Sequence, residues 1–152
     1  MTNRYGVGDY QYEPLVNWPI DDIPGVASDA ACDSDGRVYV AVRIAQGFDD
    51  NYGAIVVYDR EGKRVNSWGE NYLKVPHSIW ISPNDEIFFT DAWDHVVRKY
   101  TTSGELLMTL GIPGMCGMPG GPFNMPTGVV QASRGDIYVS DGYRQSRIHR
   151  FT

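Results

Sequence analysis

Apolar and polar side chains alternate one by one along most of this chain, in short runs broken by turn residues. The stretch from Val75 to Asp91 is the clearest case. Ser78-Ile79-Trp80-Ile81-Ser82 reads as a strand, because alternate side chains of a strand fall on opposite faces. Pro83-Asn84-Asp85-Glu86 reads as a turn, since proline presets φ and Asn or Asp tolerates a left-handed backbone. Glu86-Ile87-Phe88-Phe89-Thr90, rich in β-branched and aromatic residues, reads as the returning strand.

The same hairpin occurs before and after. Ala30-Ala31-Cys32-Asp33-Ser34-Asp35-Gly36-Arg37-Val38-Tyr39-Val40-Ala41 precedes it, and Gly128-Val129-Val130-Gln131-Ala132-Ser133-Arg134-Gly135-Asp136-Ile137-Tyr138-Val139-Ser140 follows. Val38, Ile87 and Ile137 are equivalent, 49 and 50 positions apart. A second hairpin follows each of the first two, around Asp59-Arg60-Glu61-Gly62 and Thr101-Thr102-Ser103-Gly104. Ser146 to Phe151 begins a third. Four short strands per repeat of roughly 40–50 residues is the pattern of a β-propeller blade. The chain is therefore all-β, with about three four-stranded blades at 25–69, 75–111 and 125–152, the last incomplete. An extension, 1–24, precedes them. Within it Tyr10 to Val16 reads as a lone strand.

Length changes the picture. With 152 residues the chain holds about three blades, short of the 4–8 that usually close a propeller. The expectation is a fragment of a longer propeller, or copies that associate to complete the ring. An unclosed arc leaves apolar blade faces and strand edges bare, so its first and last blades are both expected to expose apolar faces.

The net charge of −6 argues against a nucleic-acid surface. No apolar run approaches a membrane span of ~20 residues, and Met1 to Gly6 has no leader-like apolar core. Two cysteines make no disulfide framework. Cys32 is expected as a buried small hydrophobe. A reduced, cytoplasmic protein is the default expectation. The first blade carries an insertion, Ala45 to Gly53, read as a polar surface loop. Gly111 to Asn124 reads as an inter-blade linker rich in turn residues.

The segments "DSDGRVYVA", "SPNDEIFFTDAWDHVVRKYTTSGELLMTLG" and "RGDIYVSDGYRQSRIHRF" resemble NHL repeats, the units of six-bladed propellers. "VPHSIWIS", "PFNMPTGVV" and "YVSDGYRQSRIHRF" further resemble peptidyl-α-hydroxyglycine α-amidating lyases and their bacterial relatives. That resemblance implies a zinc-dependent lyase that cleaves the C–N bond of a carbinolamide-type, small-molecule or peptide substrate. It implies that His77, in Pro76-His77-Ser78-Ile79, is one of three zinc histidines. It implies that Arg43, at the end of the inner strand of the preceding blade, holds a substrate carboxylate. Tyr143, in Ser140-Asp141-Gly142-Tyr143, would be the catalytic base. A structural calcium would lie on the backbone carbonyls of Ala30 and Ile79.

Each residue also has a plainer reading. His77 follows a proline at a strand entrance, where a structural hydrogen bond is common. Arg43 is placed to pair with Asp29 or Asp91. Tyr143 is a packable aromatic. Asp91 and Asp141 share one register position and read as strand-end hydrogen bonders. His95 and His149 are expected on exposed outer strands, and Trp68, Trp80 and Trp93 in blade packing. A zinc centre needs three protein ligands, and a single histidine does not supply them. The alternative function is a noncatalytic NHL-repeat scaffold that binds a protein or small ligand on its ring face.

Overall fold

A computed structural model describes residues 3–44, 52–117 and 121–152. Most of the predicted insertion, residues 45–51, and part of the linker, 118–120, lie outside the described residues. The chain folds as thirteen strands among the described residues. Strands β1 (Tyr5–Val7) and β2 (Tyr10–Tyr12) form a small hairpin. Three antiparallel sheets follow in chain order. The first is β3 (Val26–Cys32), β4 (Val38–Ile44), β5 (Tyr52–Tyr58) and β6 (Arg64–Leu73). The second is β7 (Pro76–Ile81), β8 (Ile87–Asp91), β9 (Val96–Tyr100) and β10 (Leu106–Leu110). The third has three strands, β11 (Gly128–Gln131), β12 (Ile137–Asp141) and β13 (Arg147–Phe151). Each sheet is a blade. The innermost strands β3, β7 and β11 lie side by side, which is the radial arrangement of a propeller.

The turns repeat as closely as the strands. Gly36, Asp85 and Gly135 occupy the same place in the first turn of each blade, all with positive φ. Asp85 stands in a left-handed position where its siblings have glycine. Its carboxylate accepts hydrogen bonds from the Ser34 backbone N–H (2.8 Å) and hydroxyl (2.6 Å). The strained residue thus joins the first blade to the second.

The core lies between blades. Tyr39, Ala41, Ile55 and Val57 of the first sheet meet Ile79, Ile87, Phe89 and Tyr100 of the second. The other face of the second sheet, with Phe88, Val97 and Trp80, meets Phe123, Val129, Ile137 and Val139. Period-2 alternation is what allows one strand to serve two seams: Phe88 faces one neighbour and Phe89 the other.

Several expectations are corrected. The outer face of the first blade is not bare. Val40, Val42, Ala54, Val56 and Tyr58 are covered by Trp18 and Ile23 of a strap that precedes β3. The strap is held by bonds from Ile20 N–H to Gly62 O (2.9 Å), from Trp18 Nε1 to Arg60 O (3.2 Å) and from Tyr58 Oη to Asp22 O (3.2 Å). Tyr10 to Tyr12 is no lone strand but pairs with β1. Cys32 is exposed at the end of β3, because its side chain falls on the outward side of the alternation. Trp93 sits in a turn and is 55% exposed, so it does not pack a blade. His95 lies in the β8–β9 turn and is half-buried, its Nδ1 accepting the Met125 N–H (3.1 Å). His149 is on the outer strand β13, yet its ring turns inward to Asp141 (3.3 Å), which is fully buried.

Candidate ligand site at the strand-entry end of the blades

The three predicted side chains come together at one end of the sheets. Two irregularities in strand pairing shape that end. The pairing of β3 with β4 shifts between Ala27 and Asp29, and that of β7 with β8 shifts between Pro76 and Ser78. Ser28 and His77 are the extra residues at these bulges. A bulge re-aims a side chain out of the regular alternation. Thr127, just before β11, is their counterpart in the third blade. Ser28 and Thr127 turn their hydroxyls back onto the neighbouring strand, to Ala41 O (3.1 Å) and Ser140 O (3.2 Å). An imidazole is too long for that, and His77 reaches across the seam instead.

His77 Nε2 lies 3.0 Å from the Tyr143 hydroxyl, with the two rings edge-on at 5.3 Å and 75°. Tyr143 comes from the β12–β13 turn of the next blade and is 59% exposed. The other ring nitrogen, Nδ1, is buried with no hydrogen-bond partner among the described residues. Burial, and then the nearby Arg43 cation, lower the His77 pKa below its ordinary 6.5, while the Thr127 backbone and Asp29 oppose the shift. The imidazole is therefore neutral at pH 7.

Arg43 lies on β4, the second strand of its blade, and not on the innermost strand as expected. Its Nε donates to the Pro76 carbonyl at 2.7 Å, so the guanidinium is anchored directly beside His77. It forms no ion pair with Asp29 or Asp91 among the described residues. Gly53, on β5, makes room here: a Cβ at that position would overlap the Pro76 ring.

Asp29 is the residue that sequence reasoning undervalued. One carboxylate oxygen accepts the Ala30 N–H (2.9 Å) and the other the Ile79 N–H (3.0 Å). It pins the first bulge and ties β3 to β7. The signal was an acidic residue in the middle of a strand-forming run, where a carboxylate needs a specific partner. Ala30 and Ile79 themselves occupy equivalent positions, opposite Val40 and Phe89. The strand-end aspartates behave as expected. Asp91 accepts from the backbone of Lys74 (2.7 Å) and Val75 (2.9 Å), and Asp141 from that of Asn124 (2.8 Å).

The family profile described as NHL repeat matches residues 123–151, the whole third blade with its entry. The chain carries an NHL repeat. The other two blades repeat the same strand register, and the fold is that of a β-propeller arc. It is 34% identical over 94 residues to peptidyl-alpha-hydroxyglycine alpha-amidating lyase 1 of Drosophila melanogaster, a match covering 60% of this chain and 17% of that protein. It is 31% identical to human NHL repeat-containing protein 3, covering 86% of this chain and 40% of the relative. Virginiamycin B lyase from Staphylococcus aureus shares the fold, with a TM-score of 0.57 at 16% identity, covering 84% of this chain and 41% of that one. The chain thus spans less than half the length of each. Among the described residues no helix is long and apolar enough to cross a membrane.

Proposed function

We propose that this chain contributes one side of a lyase-like ligand site, with Arg43, His77 and Tyr143 as its working groups. The observation that carries this reading is the 3.0 Å contact between His77 and Tyr143 across the blade seam, beside a guanidinium anchored at Pro76. A carbinolamide breaks down when its hydroxyl proton is removed, a C=O bond forms, the C–N bond breaks, and the leaving nitrogen takes up a proton. In this reading Tyr143 serves as general base towards the hydroxyl and then as general acid towards the nitrogen. His77 fixes the Tyr143 oxygen. Arg43 has one nitrogen committed to Pro76 and directs its others at a substrate carboxylate.

Zinc and calcium belong to this reading only as proposals, and the described residues do not by themselves fit either ion. A catalytic zinc takes three protein ligands and an open position. No three His, Cys, Asp or Glu side chains come together among the described residues. His77 would be one such ligand. Calcium wants about six to eight oxygens. The carbonyls of Ala30 and Ile79 are proposed as two of them, and the adjacent Asp29 carboxylate is already engaged by two N–H groups. No step above passes through a metal.

The test is release of an aldehyde acid from an N-acyl α-hydroxyglycine by the purified protein, with and without added zinc. Turnover that Tyr143→Phe lowers about 100-fold in kcat, and that Arg43→Ala loses mainly through KM, supports the reading. The second reading is a ligand-binding scaffold. It is favoured by the broader match to a relative named for its repeat alone. No turnover under either condition, with retained binding of the same compound, selects the scaffold.

A further inference from the structure

His77 reaches forward to the third blade, but the groups that hold its strand belong to the first. β7 is tied to the first blade on either side of the His77 bulge. Before the bulge, the Pro76 carbonyl accepts from Arg43 Nε (2.7 Å). After it, the Ile79 N–H donates to the Asp29 carboxylate (3.0 Å), whose other oxygen accepts the Ala30 N–H (2.9 Å). Ile79 is itself buried in the core that the first two blades share, so this second tie closes on a fixed point. The fold does not require it. Asp29, Ser78 and Gly128 stand at one register position, opposite Ala41, Thr90 and Ser140. Ser78 bonds within its own blade, its N–H to the Thr90 hydroxyl (2.9 Å), and Gly128 has no side chain to offer. β7 and β11 nonetheless lie side by side. The carboxylate is thus present only at the seam that places His77.

We propose that Asp29 is a positioning residue for His77: by holding the Ile79 N–H it sets how far the imidazole reaches across the second seam to Tyr143. The proposal rests on the reading of Arg43, His77 and Tyr143 as one site, and adds the group that aligns it. The strand pairing skips His77, which lies between the paired residues Pro76 and Ser78. A residue left out of the ladder takes its place from its neighbours. On one side that neighbour is a proline, which has no N–H to anchor, and its carbonyl is taken by Arg43. On the other side the anchor is Ile79, two residues on. A carboxylate suits the task because its two oxygens accept independently, one N–H from β3 and one from β7. Its charge strengthens both bonds. An asparagine has a single acceptor oxygen and holds one strand only. Asp29 acts through the backbone and takes no part in the chemistry.

NMR on the full chain with labelled His and Tyr rings, at neutral pH, tests this without recourse to activity. The unaltered chain is expected to show a through-space contact between the His77 and Tyr143 rings. Asp29→Asn should abolish that contact while the chain still melts cooperatively. Asp29→Ser, which installs the residue that the second blade carries at the same place, should do likewise. A double-mutant cycle gives a second readout. Once Asp29→Asn has withdrawn His77, Tyr143→Phe has no bond left to lose, so the combined fall in melting temperature is smaller than the sum of the two single falls. A ring contact that survives both Asp29 variants, or falls that simply add, makes the tie merely structural and overturns the proposal. A ring contact absent from the unaltered chain overturns the reading of the site itself, and this proposal with it, so the unaltered chain tells the two failures apart.

Discussion

The two end blades solve the same problem differently. Each has one seam with the middle blade and one face turned away from it. In the first blade the outward face is shut by the strap, and Val42, Ala54, Val56 and Tyr58 reach 0% exposure. In the third blade the outward face stays open, with Val130 and Ile148 exposed beside half-buried Tyr138. The difference shows that a blade face can be shut without the strands of a neighbouring blade. A few apolar anchors on irregular backbone suffice, provided their polar groups find partners. The third blade has no such segment among the described residues.

The comparison breaks most visibly at Tyr58. Tyr58→Ala removes a fully buried ring between strap and sheet and is expected to cost about 3–5 kcal/mol. Tyr58→Phe loses only the bond to Asp22 O and should cost about 1 kcal/mol. Denaturant midpoints at constant m-value measure both. Ile148→Ala on the open face is expected to change the monomer by no more than about 0.5 kcal/mol. Comparable losses for Tyr58→Ala and Ile148→Ala would mean that the two faces are not different.

A second test concerns the strap's other anchor. Trp18 stacks obliquely on Tyr58 at 6.1 Å between ring centroids and donates to Arg60 O. Half-buried, it should contribute less than Tyr58, and Trp18→Ala should cost about 1–2 kcal/mol. Hydrogen exchange should then rise along β4 and β5 and leave β12 unchanged. Faster exchange in β12 would show that the ends of the arc are coupled.

Much of this asymmetry was not readable beforehand, for identifiable reasons. The blades were legible because period-2 alternation and turn glycines carry their own signal, and Val38, Ile87 and Ile137 do stand at one register position. The strap was not. Trp18 and Ile23 are isolated apolar residues, and their hold on the blade runs through backbone groups such as Gly62 O that no side-chain pattern reports. The meeting of Arg43, His77 and Tyr143 followed from their places in the repeat, although only the coordinates show the bulge that frees His77 from the strand. His149 was misjudged because its strand is outermost. The same register position holds Arg98 in the second blade, ion-paired with buried Asp91 and hydrogen-bonded to Asp94. Val56 in the first blade faces the strap. An outer strand therefore reaches inward wherever the strand-end position is an aspartate, as at Asp91 and Asp141, and stays apolar where it is Val42.

The smallest expected effect sharpens the comparison by pH. The chain's three histidines all lie in the second and third blades. His95 fixes the entry to the third blade, because its Nδ1 accepts the Met125 N–H and must therefore be unprotonated. Burial, against the opposing pull of Asp94, Asp141 and Asp91, lowers its pKa below 6.5. Above 6.5 the ring is neutral both folded and unfolded. As pH falls below 6.5 the unfolded chain takes up the proton first, so stability declines until the folded-state pKa is passed. Asp91 runs the opposite way, since burial raises its pKa above 3.8 and acidification relieves rather than adds strain there. His95→Asn keeps an acceptor for Met125, suits the positive φ of 58° at this position, and does not titrate. It should flatten part of the loss of stability between pH 7.5 and 5.5, by less than about 1 kcal/mol. Amide exchange at the two pH values locates the effect: acid should loosen β11 and β12 before β4 and β5. Equal loosening at both ends, or no change on His95→Asn, would remove the histidine from the seam's stability.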